Sequence, residues 1–240
     1  MRRIPLPRWF AHRGGGTLAP ENTLAGIRLA ARLGFRAVEF DVMLTADGTP
    51  VLIHDETLER TTNGTGRVCE TPDHALFALD AGDGERIPRF AEAAALCREL
   101  GLLANVEIKP AAGHAERTGE VVAAEAARLW AGAALPPLLS SFDPAALAVA
   151  RDVAPGLPRG ILFEAVPDDW HACLTDLGAF SLHCDASGLA DATLAEAAAR
   201  GVPVLCYTVN EAEAAKSLFA RGVAGLFTDR LDRFAAEAAS

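Results

Sequence analysis

Ala37-Val38-Glu39-Phe40-Asp41-Val42-Met43-Leu44 runs through Thr45-Ala46-Asp47-Gly48-Thr49-Pro50 into Val51-Leu52-Ile53-His54. Successive side chains on a strand point to opposite faces. Val38, Phe40, Val42 and Leu44 therefore share an apolar face, and Glu39 and Asp41 share the other. One apolar face and one face carrying acids near the strand's C-terminal end is the pattern of a barrel strand that reaches an active-site mouth. Asp47-Gly48 between apolar runs is a hairpin signal. With a loop of those two residues, Asp41 pairs with His54 on the same side of the ribbon. Val51 to His54 then form an antiparallel return strand, extra to the parallel set.

Outward from this stretch, strand and helix alternate along the chain. Apolar runs at 9–12, 37–44, 102–108, 137–142, 159–163, 180–184, 203–208 and 224–228 read as strands. Segments 21–33, 89–100, 115–130, 144–153, 169–177, 192–200, 211–221 and 232–239 read as helices. Their apolar residues recur three and four apart, and several end at glycine (Gly34, Gly101, Gly201, Gly222). Eight such units predict an α/β fold, a (β/α)8 TIM-type barrel with an extra β-hairpin arm. A doubly wound sheet is the alternative, because strand order is not written in the sequence. Segment 56–88 is rich in turn residues and too long for an ordinary connection after a strand. It predicts a small insertion or lid within a single catalytic domain, 1–240.

Composition narrows the class. Of 240 residues half are hydrophobic, enough for a sizeable core. The formal charge of −10 argues against nucleic acid or an anionic membrane as partner, so an anionic small molecule would be drawn in by a metal or a few placed cations. Cys69, Cys97, Cys173, Cys184 and Cys206 have no metal-site or disulfide spacing and read as reduced thiols. No apolar leader precedes the first strand and no run is long enough to span a membrane, so a cytoplasmic location is expected.

The charged strand ends are hard to explain as packing. In Asn105-Val106-Glu107-Ile108-Lys109 the alternation sends Glu107 and Lys109 inward beside Glu39 and Asp41. Three carboxylates in a partly dry mouth repel one another unless something cationic holds them. One oxygen-liganded divalent cation, Mg²⁺ or Ca²⁺, on Glu39, Asp41 and Glu107 is the economical solution; the lack of thiolate or clustered imidazole ligands disfavours zinc. His12 and His54 end strands and suit an acid/base pair acting across a P–O bond. Arg13 precedes Gly14-Gly15-Gly16, which lets the chain turn and aim the guanidinium fork at phosphate. Lys109 is one of two lysines among 22 basic residues, which suggests a point charge on substrate. His74, His114, His171 and His183 lack acidic partners at matching spacing and read as structural.

His12-Arg13-Gly14, Pro20-Glu21-Asn22-Thr23, Glu39-x-Asp41, His54-Asp55-x-x-Leu58-x-Arg60-Thr61-Thr62-Asn63-Gly64-x-Gly66, Glu107-x-Lys109, Ser141-Phe142 and Thr208-Val209-Asn210, in that order, resemble the glycerophosphodiester phosphodiesterase family. The likeness extends to Thr228-Asp229. It implies a (β/α)8 barrel, a divalent metal, and hydrolysis of a small glycerophosphodiester to glycerol 3-phosphate and an alcohol. By position it implies Glu39, Asp41 and Glu107 as metal ligands, His12 and His54 as the acid/base pair, and Arg13 and Lys109 as phosphate contacts. Tyr207 stands where the family usually has Trp, and with Phe142 at another strand end it becomes a candidate substrate contact. The competing readings are the same chemistry on a bulkier lysophospholipid, a sugar-phosphate isomerase or aldolase, and a non-catalytic phosphate-binding barrel. The lack of an apolar insertion helix weighs against the first. Lys216 lies mid-helix and Leu226-Phe227-Thr228-Asp229 is not a Gly-rich phosphate cup, which weighs against the second, and the retention of the whole charged set weighs against the third.

Overall fold

In the computed structural model, which describes residues 4–238, eight parallel strands close on themselves. In chain order the elements are β1 (Trp9–Ala11), α1 (Leu24–Arg32), β2 (Ala37–Leu44), β3 (Pro50–Leu52), α2 (Asp73–Leu76), α3 (Phe90–Leu100), β4 (Leu103–Ile108), α4 (Ala115–Leu129), β5 (Leu138–Ser141) and α5 (Pro144–Val153). They continue with β6 (Arg159–Phe163), α6 (Trp170–Asp176), β7 (Ser181–Asp185), α7 (Asp191–Arg200), β8 (Val204–Tyr207), α8 (Ala212–Arg221), β9 (Gly225–Thr228) and α9 (Leu231–Ala238). The strand order β1-β9-β8-β7-β6-β5-β4-β2 is closed by the β1–β2 pairing, and every contact around the ring is parallel. This is the TIM-type barrel, not a doubly wound sheet. The last predicted helix ends at Ala238; position 239 and the first three positions lie outside the described residues.

Two apolar layers build the barrel. Val38, Phe40, Val42, Val106, Ile108, Ile161, Leu182 and Cys184 point outward and pack beneath the helices. Phe10, Ala37, Leu103, Leu138, Leu205 and Phe227 point inward, with Ile4, and fill the interior away from the charged mouth. Chain punctuation sets the helix starts. Asn22 has a left-handed backbone (φ 57°) and the Thr23 hydroxyl accepts the Gly26 N–H at 3.2 Å, so α1 begins at Leu24 rather than at position 21. Among the described residues no helix is long and apolar enough to cross a membrane, and all five cysteines are free thiols.

The hairpin arm exists, but its register is one residue away from the expected one. β2 and β3 pair as Val42↔Leu52, Met43↔Val51 and Leu44↔Pro50. Thr45 donates its N–H to the Thr49 carbonyl at 3.0 Å, which makes the loop Ala46-Asp47-Gly48 rather than two residues. Gly48 sits at φ 81°, the left-handed position that three-residue hairpin loops assign to glycine. Asp41 therefore faces Ile53, whose N–H reaches its carbonyl at 3.2 Å. His54 lies beyond the end of β3, where the chain leaves the ribbon. Segment 56–88 then folds over the ribbon, with Leu58, Val68, Leu76 and Ile87 burying Met43, Val51 and Ile53.

Candidate active site

All nine residues singled out in the sequence line one cavity of about 130 Å³ at the C-terminal ends of the barrel strands: His12, Arg13, Glu39, Asp41, His54, Glu107, Lys109, Phe142 and Tyr207. Asn105, Leu162, Thr208 and Phe227 complete its walls. The strands impose this convergence. Glu39 and Asp41 are successive inward positions of β2, and parallel register sets Asp41 beside Glu107 and Glu39 beside Asn105 on β4. A larger, more open groove of about 730 Å³, lined by Thr17 to Glu21, Arg60 to Asn63 and Asp80 to Asp83, lies outside this cluster. None of the three central carboxylates and neither strand-end histidine borders it.

Glu39, Asp41 and Glu107 are 4%, 2% and 8% exposed, and one oxygen from each lies within 4.8 Å of the others. Burial, together with the charges of Asp41 and Glu107, raises the Glu39 carboxyl well above the ordinary carboxylate range. Burial and the Asp41 charge push Glu107 up to about 8, against the pull of Lys109. Burial alone would raise Asp41 as well. Lys109, His54, Arg13 and the Asn22 amide overcome it and hold that carboxyl low. One Glu39 oxygen accepts the Arg13 N–H at 2.9 Å; the other is buried with no hydrogen-bond partner. A buried all-oxygen cluster with an unpaired acceptor and a shortage of positive charge fits a hard divalent cation.

The cations and imidazoles stand around these acids. Lys109 Nζ is 3.2 Å from Asp41 Oδ1 and 3.6 Å from Glu107 Oε1. Arg13, at a left-handed φ of 48°, lies 3.9 Å from Asp41 through an Nε that is buried and makes no hydrogen bond. Strained backbone of this kind persists where the surroundings over-determine it. Here the Arg13 carbonyl accepts the N–H groups of Gly15 and Asn22. Each strand-end histidine offers Nδ1 to a carboxylate: His12 to Asp229 at 2.7 Å and His54 to Asp55 at 2.6 Å. Such a partner fixes the ring and leaves Nε2 for other chemistry; in His12 that atom lies 3.8 Å from Glu39. Burial keeps the His54 ring below the usual histidine range, although Asp41 and Asp55 pull the other way. Opposite the charged wall, Phe142 meets Tyr207 edge to face at 5.7 Å, and the Tyr207 hydroxyl donates to the Phe163 carbonyl at 2.8 Å.

Sequence reasoning left the supporting groups without roles. Asn22 clasps Asp41 twice, donating Nδ2 to Oδ2 at 2.9 Å and accepting the Asp41 N–H at 3.1 Å. Asn210 braces Asp229, donating Nδ2 to Oδ2 at 3.2 Å and accepting its N–H at 2.8 Å. Asn22, Asn210, Asp229 and Asp55 all sit in motifs that carried the resemblance, and that was the available signal. His183 lies inside the barrel, hydrogen-bonded to Ser181 at 3.0 Å, and does not line the cavity. His74, His114 and His171 do not line it either.

Residues 12–233 match the sequence model of the glycerophosphoryl diester phosphodiesterase family. A glycerophosphodiester phosphodiesterase of Caldanaerobacter subterraneus subsp. tengcongensis is 34% identical over 92% of this chain and 93% of its own. The structure of an Oleispira antarctica phosphodiesterase in complex with the product sn-glycerol-3-phosphate superposes with a TM-score of 0.91. It is 35% identical and covers 97% of this chain and 96% of the other. A crystal structure of a protein from Silicibacter pomeroyi DSS-3 gives a TM-score of 0.85 at 26% identity, over 99% of this chain and 95% of the other.

Proposed function

The chain belongs to the glycerophosphoryl diester phosphodiesterase family, and from that premise we propose that its barrel mouth hydrolyses small glycerophosphodiesters to glycerol 3-phosphate and an alcohol, with a divalent cation and two histidines. The observation that carries this reading is the meeting of three buried carboxylates with two imidazoles, each imidazole held through Nδ1 by an aspartate. Glu39, Asp41 and Glu107 would hold Mg²⁺ or Ca²⁺. When bound there, the ion supplies electrostatic stabilisation to charge on the phosphoryl oxygens.

The chain's own groups do the rest. Arg13 and Lys109 face the same space and offset charge as the phosphoryl group is transferred; the Arg13 Nε, which makes no hydrogen bond, has a donor to give. One histidine accepts a proton from the nucleophile through Nε2, and the other delivers one to the departing alkoxide. Phe142 and Tyr207 form the apolar side of the cavity, where the carbon skeleton of the substrate would lie. Segment 56–88 acts within this single catalytic domain as the element that borders the site from outside.

The test is release of glycerol 3-phosphate from glycerophosphocholine in the presence of Mg²⁺, Ca²⁺ or a chelator. Turnover should need the cation, and His12→Ala and His54→Ala should each reduce it by roughly 10²–10⁴-fold, the loss expected of a proton-transfer group. A p-nitrophenyl ester, whose leaving group needs no acid, should rescue one of the two variants and not the other. Undiminished turnover in chelator, or equal rescue of both variants, would refute the reading.

A further inference from the structure

Arg13 follows β1 and His54 follows β3, and a continuous chain of charged hydrogen bonds runs between them outside the cavity. Arg13 Nη1 donates to both Glu21 oxygens at 3.1 and 3.2 Å. The same carboxylate accepts Arg60 Nη1 and Nη2, each at 2.8 Å. Arg60 turns its other edge to Asp55, with Nε at 2.5 Å and Nη2 at 3.0 Å. Asp55 in turn holds His54 Nδ1 at 2.6 Å. Arg60 thus spends four of its N–H groups on two carboxylates, a double fork that only a planar guanidinium can make.

Both ends of the chain are anchored. Leu58, two residues before Arg60, is 1% exposed in the insertion's apolar core. Glu21 precedes Asn22, whose left-handed backbone and two bonds to Asp41 fix that turn against β2. An isolated surface ion pair stabilises a protein little. This network differs because its two ends are groups of the site, and because Glu21 stands between two cations that share it.

We propose that Glu21 and Arg60 are positioning residues, forming with Asp55 a relay through which the insertion orients both the His54 imidazole and the Arg13 guanidinium. The proposal rests on the acid–base reading of His54 given above. Arg60 fixes Asp55, which keeps the His54 proton on Nδ1 and aims Nε2 at the cavity. Arg60 also holds Glu21 away from full pairing with Arg13, which leaves Arg13 donors for the phosphate. Without Arg60, Asp55 swings free, so kcat falls. Glu21 then draws Arg13 toward itself, so KM rises.

The experiment compares Arg60→Met, Arg60→Lys and Glu21→Gln with the parent by glycerophosphocholine kinetics, thermal unfolding and histidine-selective ¹⁵N NMR. Arg60→Met should lower kcat roughly 10–100-fold, the range typical of losing a partner that orients an active group. Arg60→Lys should not restore it, because an ammonium cannot fork. Glu21→Gln should raise KM more than it changes kcat. In the NMR spectrum His54 should lose its single Nδ1-protonated form in Arg60→Met; an unchanged tautomer there would overturn the relay. In a His54→Ala background the Arg60→Met effect on kcat should shrink to about 2-fold or less, since the two act through one group. Equal loss in both backgrounds, tracking a lowered unfolding temperature, would mark a merely structural role and overturn the proposal. Full turnover in His54→Ala would instead sink the acid–base reading, and the NMR result would still decide the relay.

Discussion

Asn22 contacts Asp41 through both its amide oxygen and its amide nitrogen, at a backbone angle that glycine accepts without strain. Asn22→Gly therefore removes the clasp and spares the turn. Metal affinity should drop roughly 10–100-fold, as for other partners that orient a ligand, while circular dichroism stays unchanged; calorimetric titration with Mg²⁺ or Ca²⁺ checks this. His183 is a different kind of residue. It is fully buried, its Nδ1 has no partner, and burial pushes it down to about 3. The unfolded chain binds a proton near pH 6.5 that the folded chain refuses, so between about 6.5 and 3 stability falls as pH falls, by at most about 1.4 kcal/mol per pH unit. Above that window both states are neutral at this site and it contributes no pH dependence. Denaturant unfolding should show a shallower acid-side loss in His183→Gln than in the parent. Equal slopes would mean that other groups dominate.

At the scale of elements, the turn from β1 into α1 ties two strand ends together. Gly16 has φ 55°, and a Cβ there would sit 2.2 Å from the Asp229 carbonyl oxygen, which also accepts the Thr17 N–H at 2.9 Å. Asp229 is the partner of His12, so this turn and the segment after β9 can move only together. Gly16→Ala should cost about 1–2 kcal/mol from the left-handed backbone alone, with a further loss as Asp229 is pushed aside. Turnover should fall more than in a control such as Gly48→Ala, which shares the positive φ but has no atom within 4 Å of its would-be Cβ. Parallel unfolding curves and kcat values for the two variants separate strain from displacement. The ribbon carries a second lesson. Asp47-Gly48 was readable as a turn, but loop length decides register, and Gly48 took the third loop position instead of the second.

For the whole molecule, the barrel gathers like charge at its mouth and fills the rest of its interior with apolar side chains. Holding three buried carboxylates together opposes folding, so a cation that binds them only in the folded state should stabilise the protein. At a concentration 100-fold above Kd the gain is about 2.7 kcal/mol, or roughly 5–10 °C in Tm for a chain of this size. Differential scanning with Mg²⁺ or Ca²⁺ against a chelator measures it. Glu107→Gln should lose most of that shift while unfolding cooperatively. An identical shift in this variant would mean that the ion binds elsewhere.

What the sequence determined by itself was local and periodic. Alternation along β2 and β4 told which side chains face inward, turn residues told where elements stop, and the recurrence of strand and helix told the fold class. These are properties of neighbouring residues, and backbone geometry makes them readable. The tertiary structure decided what depends on closing the ring: that β1 meets β2, that Asp229 arrives at His12 from the far end of the chain, and that His54 reaches the cavity by leaving its strand rather than by pairing with Asp41. Those contacts join residues up to 217 positions apart. No periodicity encodes them, because parallel packing around a closed barrel, not the local chain, sets which strand ends become neighbours.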